Sequence, residues 1–258
     1  GYLESQPVML IGQEKGHDIT SIERHGGRVY PEGFRKAQRA MSLASKLRLP
    51  LITFIDTPGP YYGRESEERG LGNAIAQTTS FMAQLPVPTI SVVIGEGGSE
   101  AALALGVTDR ILMLENAIYG VTSPENAAAL LYRDLPNVHE IAEPLRLSAQ
   151  DCYELGIVDL VVDEPSEGAH RNPGEAALRL KNVLIEEIAA LMTNSTKRVT
   201  RARYKKFRNM GEYSSHFRIA FNREVSNLQS YVASRVRRMR RRHIEKSITS
   251  PEEQNKKA

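Results

Sequence analysis

The stretch GEGGSEAALAL, residues 95–105, joins an apolar run, PTISVVI, to an alanine- and leucine-rich segment with helical character. Glycines at a strand-to-helix junction expose unpaired backbone N–H groups at the positive end of a helix dipole. Without side chains at Gly95, Gly97 and Gly98, an anion or a carbonyl oxygen can approach that backbone closely. This is how an oxyanion hole is built, and losing one such donor costs about 3–4 kcal/mol of transition-state stabilisation. Tight packing of a helix on its strand calls for the same small residues, so spacing alone leaves both readings open. The dinucleotide fingerprint G-x-G-x-x-G is broken at its last glycine in GEGGSE.

DTPGPYYG, residues 56–63, occupies the equivalent position one unit earlier. Pro58 and Pro60 stiffen this loop, while Gly59 and Gly63 let the backbone turn or approach a ligand. Two glycine-bearing loops after successive strands can face one cleft, with Tyr61 and Tyr62 as lining candidates. Ser99 in its G-x-S-x-A setting also fits a nucleophile, but a triad needs a histidine and a carboxylate placed by the fold. The chain has six histidines, none assignable to that role from the sequence. The lone Cys152 excludes an internal disulfide framework and a multi-cysteine zinc site, and reads as a half-buried helix residue.

These loops need strands and helices to position them. Strands are expected at 7–12, 49–56, 88–95 and 157–164, with two short ones in 109–121 about a turn at Glu115–Asn116. Helices are expected over 31–47, with Pro31 in the first turn and Phe34, Ala37, Met41 and Ala44 on one face, and from Ser66 to Leu85. A further helix starts at the quoted stretch, and GEAALRLKNVLIEEIAALM is amphipathic. Strands alternating with helices give an α/β layered domain with ligand loops at the strand C-termini. At 258 residues, 41% apolar and 25% charged, the chain can bury a sizeable core. It has no apolar run long enough to span a membrane and no signal-peptide pattern, which fits a cytoplasmic protein.

The net charge of +3 hides an asymmetry. Residues 1–196 hold 16 basic against 26 acidic residues, and 197–246 hold 16 against 3. In the basic part, Phe217, Phe221, Val225, Leu228, Val232 and Met239 form one apolar stripe on an arginine-rich helix. Its readings are a partner-packing helix, a patch for an acidic ligand such as coenzyme A phosphates or an acidic carrier, and nucleic-acid binding.

PVMLIGQEKG, PEGFRKA, ITFIDTPG, EERG, VIGEGGS, SPE and GAHRNP occur together in one order. In these blocks the chain resembles the alpha subunit of the bacterial-type acetyl-CoA carboxylase carboxyltransferase, in the crotonase (ClpP-like) superfamily. The resemblance runs from about Pro7 to Leu191. By charge and pattern, 196–248 reads as a basic amphipathic helical extension and 249–258 as a disordered tail, while the resemblance implies a crotonase-like β-β-α superhelix over 1–195. It also implies a function in malonyl-CoA and fatty acid biosynthesis. Carboxybiotin arrives on a separate biotin carboxyl carrier protein, the biotin ureido anion deprotonates acetyl-CoA, and the enolate attacks CO2 to give malonyl-CoA. Backbone donors hold the developing charge, with no metal in this chain. The implied partners are a zinc-bearing beta-type subunit, the carrier, and biotin carboxylase in the holoenzyme.

Carried onto this sequence, Ser99, Glu100 and Ala101 are the catalytic positions, with Gly97 and Gly98 beside them. Thr57, Pro58, Gly59 and Gly63 form the facing wall of the biotin site. The family has a second Gly-Gly pair where this chain has Glu100 and Ala101, and a carboxylate there opposes the charge an oxyanion hole should stabilise. Two alternatives follow: a pseudo-subunit that stabilises or regulates an active homologue, and a Ser99 hydrolase.

Overall fold

The computed structural model describes residues 1–16, 22–132 and 138–211. The apolar stripe at 217–239 and the tail at 249–258 lie outside these residues. A short antiparallel pair, β1 (Tyr2–Leu3) with β2 (Gln6–Pro7), leads into β3 (Met9–Gly12). The main sheet continues with β4 (Leu51–Thr57), β5 (Thr89–Gly98), β6 (Arg110–Leu114) and β8 (Leu160–Val162), paired parallel in the order β3-β4-β5-β6-β8. Parallel strands buried on both faces read as continuous apolar runs, and LITFI and ISVV do so.

The helices begin with α1 (Pro31–Leu47). Pro31 occupies its first turn, and Phe34, Ala37, Met41 and Ala44 form its buried face, as the periodicity predicts. The expected helix 66–85 is instead two, α2 (Arg64–Glu68) and α3 (Leu71–Gln84). Gly70 lies between them at a left-handed φ of 76°, a conformation that ends one helix and that glycine adopts without a Cβ clash. Then come α4 (Ser99–Gly106), α5 (Pro124–Tyr132), α6 (Val138–Leu145), α7 (Ala149–Glu154), α8 (Pro173–Met192) and α9 (Thr196–Asn209). Helices α5 and α6 lie in a stretch where the sequence gives no expected element, while α7 holds Cys152, which the sequence places in a helix as half-buried and which is in fact buried.

Two departures from a plain parallel sheet shape the functional end. The β4–β5 register shifts between Ile55 and Thr57, so that Thr57 pairs with Gly97. Past that point β5 leaves β6 and pairs with β7 (Ile118–Gly120), aligning Glu96, Gly97 and Gly98 with Ile118, Tyr119 and Gly120. The strand is therefore longer than its apolar run and carries the glycines as strand residues.

The core packs Met41, Ile52, Ile55, Val92, Val93, Leu112 and Met113, all essentially inaccessible to water. Each such side chain contributes about 2 kcal/mol by leaving water. At the other end of β5, α9 is seated by Arg203, which is buried. Its Nε and Nη2 donate to the two Asp109 oxygens (2.9 and 2.7 Å). Its remaining bonds reach the carbonyls of Met82, Leu85 and Val87 at 2.8–2.9 Å. Asp109 in turn accepts from the N–H and hydroxyl of Thr89, the first residue of β5. Thr196–Asn209, assigned on sequence grounds to the extension, belongs to a compact unit that ends at Met210.

Candidate active site

Each glycine of the quoted stretch lies against a specific neighbour. A Cβ on Gly95 would sit 2.6 Å from Asp56 Oδ1, whose carboxylate accepts the Glu96 N–H at 3.0 Å. On Gly97 it would meet the Tyr119 ring at 2.4 Å, and on Gly98 the Pro58 carbonyl at 2.4 Å. Contacts this short mean that something must move if a side chain is added: the Asp56 carboxylate at Gly95, the Tyr119 ring at Gly97, and backbone at Gly98, where the demand for glycine is strictest. The two readings left open by the sequence are therefore compatible. Close packing of β5 on the loop after β4 brings the start of α4 beside Pro58 and Gly59.

Gly98, with extended backbone, is the residue before α4. Ser99 follows at a left-handed φ of 56°, a conformation that costs a non-glycine residue of order 1–3 kcal/mol and clusters at functional sites. As first-turn residues, Ser99, Glu100 and Ala101 present N–H groups that the helix cannot satisfy. The Ala101 methyl faces away, buried with Phe34, Leu71, Ala74 and Ala104, so this residue can offer the cleft only its backbone.

The facing wall is fixed from beneath. The buried Thr57 hydroxyl lies 2.7 Å from the Gly27 carbonyl and 2.9 Å from that of Gly59, and accepts the Gly59 N–H at 3.1 Å. Gly59 has a φ of 139°, and a Cβ there would lie 3.6 Å from Ser99 Cβ. Val29 pairs with this loop through its N–H to Gly59 O and its carbonyl from Tyr61 N–H. Gly63 differs from the others: its open space is filled by the Tyr61 ring, 2.4 Å from where a Cβ would stand. Tyr61 stacks on Tyr30 at 4.5 Å, with His25 at the edge of both.

Between these walls lies an open cleft of about 600 Å³, lined by Pro58, Tyr61, Tyr62 and Ser99 from the expected set. Arg28, Glu96, Thr122, Ser123 and Asn126 line it as well, and the sequence reading singled out none of them. Glu96 and Ser123 stand in the VIGEGGS and SPE blocks, whereas Arg28, Thr122 and Asn126 come from segments without a motif; the Val29–Pro60 bridge and the β5–β7 pairing bring them in. The pattern of β5 gave no sign that it would change partner. Lys15 pairs with Glu96 at 2.6 Å, so one carboxylate on the cleft wall is offset by a cation. The Glu100 carboxylate accepts a hydrogen bond from the Tyr62 hydroxyl (2.5 Å) and one from Ser99 Oγ. Burial, followed by that bond to Glu100, raises the Tyr62 phenol above its ordinary pKa.

Ser99 thus donates to a carboxylate, and among the described residues no histidine is bonded to it, so the triad geometry of a hydrolase is not assembled. Cys152 is buried in α7, where burial pushes its thiol up to about 11 and keeps it neutral. Among the described residues, no group of three or more His, Cys, Asp or Glu side chains is placed to hold a metal ion, and no helix is long and apolar enough to cross a membrane.

Comparison with known proteins places this architecture. Residues 1–211 match the family described as acetyl co-enzyme A carboxylase carboxyltransferase-like. The acetyl-coenzyme A carboxylase carboxyl transferase subunit alpha of Xanthomonas campestris pv. campestris is 48% identical over 217 residues, 84% of this chain and 68% of that one. A Pseudomonas malonate decarboxylase hetero-tetramer solved with coenzyme A shares the fold at a TM-score of 0.65 and 20% identity, over 94% of this chain and 89% of that one. Transcarboxylase 12S, solved with methylmalonyl-coenzyme A and methylmalonic acid, gives a TM-score of 0.60 and 19% identity over 72% of this chain; the match spans about a third (34%) of that longer chain. The fold is the crotonase-like α/β superhelix, and the chain belongs to the acetyl-CoA carboxylase carboxyltransferase alpha-subunit family.

Proposed function

We propose that this chain is the alpha-type half of a biotin-dependent acyl-CoA carboxyltransferase, working with a zinc-bearing beta-type subunit to convert acetyl-CoA to malonyl-CoA. The observation that carries this reading is the start of α4. There Ser99 lines the cleft, and the first-turn N–H groups of residues 99–101, which the helix itself cannot satisfy, are backed by a helix dipole. Such a donor set suits an oxygen that gains negative charge during reaction, and it fits the planar ureido carbonyl of biotin without any side chain acting as acid or base. Carboxybiotin, on a separate carrier protein charged by biotin carboxylase, would supply the carboxyl group.

This chain's own contribution is positional. Gly97 and Gly98 seat α4 against Pro58, so the donors are fixed before a ligand arrives. Thr57 locks the loop that carries Pro58 and Gly59, and Gly63 gives Tyr61 room to fold back beneath the wall. By the family resemblance the acyl-CoA site would lie largely in the beta-type chain, and the malonate decarboxylase neighbour is likewise a hetero-dimer. Glu100 also favours a second reading, a subunit whose chemistry is altered and which supports an active homologue.

Malonyl-CoA-dependent carboxylation of free biotin, assayed on the chain co-purified with its beta-type partner, separates the two. The carboxyltransferase reading expects turnover. No turnover in a well-formed complex, recovered with Glu100→Gly, would instead establish the altered-subunit reading.

A further inference from the structure

The Glu100 carboxylate poses a problem that the cleft must solve. It sits in the first turn of α4, beside N–H groups that the helix itself cannot satisfy, and helix N-termini attract carboxylates. A tethered carboxylate is present at high effective concentration and would compete with any ligand oxygen for those donors. Two hydroxyls engage it instead. Ser99 Oγ donates from the neighbouring residue, and the Tyr62 hydroxyl reaches across from the loop after β4. Tyr62 is 61% exposed, so core packing does not dictate where its ring goes. Arg28 lines the same cleft, and its charge acts on Tyr62 against the effect of Glu100.

We propose that Tyr62, assisted by Ser99, is a positioning residue that holds the Glu100 carboxylate at the lip of the cleft and so keeps it from occupying the backbone donors of residues 99–101. This inference rests on the carboxyltransferase reading for its consequence, but the pairing itself does not. Without the Tyr62 hydroxyl, Glu100 becomes a tethered inhibitor of its own site. Removing the charge at position 100 then makes the hydroxyl dispensable.

The test compares wild type, Tyr62→Phe, Glu100→Gln and the double variant, each in complex with the beta-type subunit. Reverse carboxyl transfer to free biotin is measured together with tyrosine 13Cζ NMR of the labelled alpha-type chain. Tyr62→Phe is expected to lower turnover about tenfold, with KM for malonyl-CoA changed little, because that substrate binds elsewhere. The double variant should recover most of the loss, a rescue that simple loss of packing would not produce. The tyrosine resonance missing in Tyr62→Phe should be the one whose titration moves down in Glu100→Gln. Unchanged turnover in Tyr62→Phe, or a double variant no better than it, would overturn the positioning role. A Tyr62 resonance indifferent to Glu100→Gln would overturn the pairing. If all four complexes form and none turns over, the carboxyltransferase reading fails and takes the positioning role with it, while the resonance still decides the pairing.

Discussion

The two ends of β5 handle polar groups in opposite ways. At Thr89, the buried carboxylate of Asp109 is met by the Thr89 N–H and hydroxyl and by two nitrogens of Arg203, and the rest of that guanidinium is absorbed by three carbonyls. At Gly98 the strand runs into α4, whose first-turn N–H groups have no acceptor within the helix and whose first residue, Ser99, lines a cleft. One end satisfies its donors within the chain and is structural. The other brings first-turn donors that the helix itself does not use to the edge of the cleft. The difference teaches where to look for function on a parallel sheet: at the strand C-terminus, where backbone groups are left over.

The comparison predicts different responses to mutation at each end. The largest effect belongs to Arg203→Met, which leaves Asp109 charged and buried; chemical denaturation should show a loss of about 3–5 kcal/mol. Next comes Gly98→Ala, whose Cβ meets backbone rather than a flexible side chain, so the loop or the helix must move. The expected destabilisation is about 1–3 kcal/mol, read from the same unfolding curves. A stability cost for Gly98→Ala equal to that of Arg203→Met would erase the distinction between the two ends.

The smallest effect is expected away from both ends, at Glu164. Burial pushes its carboxyl up, but the N–H groups of Ala169 (2.7 Å) and Asn116 (3.0 Å) outweigh this and leave the pKa below its ordinary value. A depressed carboxyl stabilises the folded state above its unfolded pKa and loses that contribution as pH falls through the folded one. Glu164→Gln should therefore cost under about 1 kcal/mol at neutral pH, given its exposure. The gap from wild type should close as the pH is lowered below the carboxylate range in acid-unfolding curves.

Much of this architecture is legible in the sequence, for identifiable reasons. The α1 face of Phe34, Ala37, Met41 and Ala44 follows from a 3.6-residue period, and β4 from a run apolar enough to be buried on both sides. Gly70 is visible as a residue, yet its left-handed φ depends on where α2 and α3 pack, so the helix break was not. Within the site, Thr57, Pro58, Gly97, Gly98 and Ser99 stand in motifs and meet at one place. Arg28 and Asn126 reach it through the Val29–Pro60 bridge and a change of strand partner, both tertiary events without a local signal, while Glu96 and Ser123 stand in quoted blocks whose pattern does not mark them as lining residues. The buried Arg203 was hidden in the same way, as one arginine in a basic run whose exceptional role depends on Asp109, 94 residues earlier.

The most direct test of the account is reverse carboxyl transfer to free biotin by wild type and Gly98→Ala, each in a folded complex with the beta-type subunit. The account predicts turnover in wild type and a loss of at least about tenfold in Gly98→Ala, because moving α4 off the Pro58 backbone misaligns its donors. Equal turnover in the two, or none in a well-formed wild-type complex, would contradict the claim that the open end of β5 is the functional one.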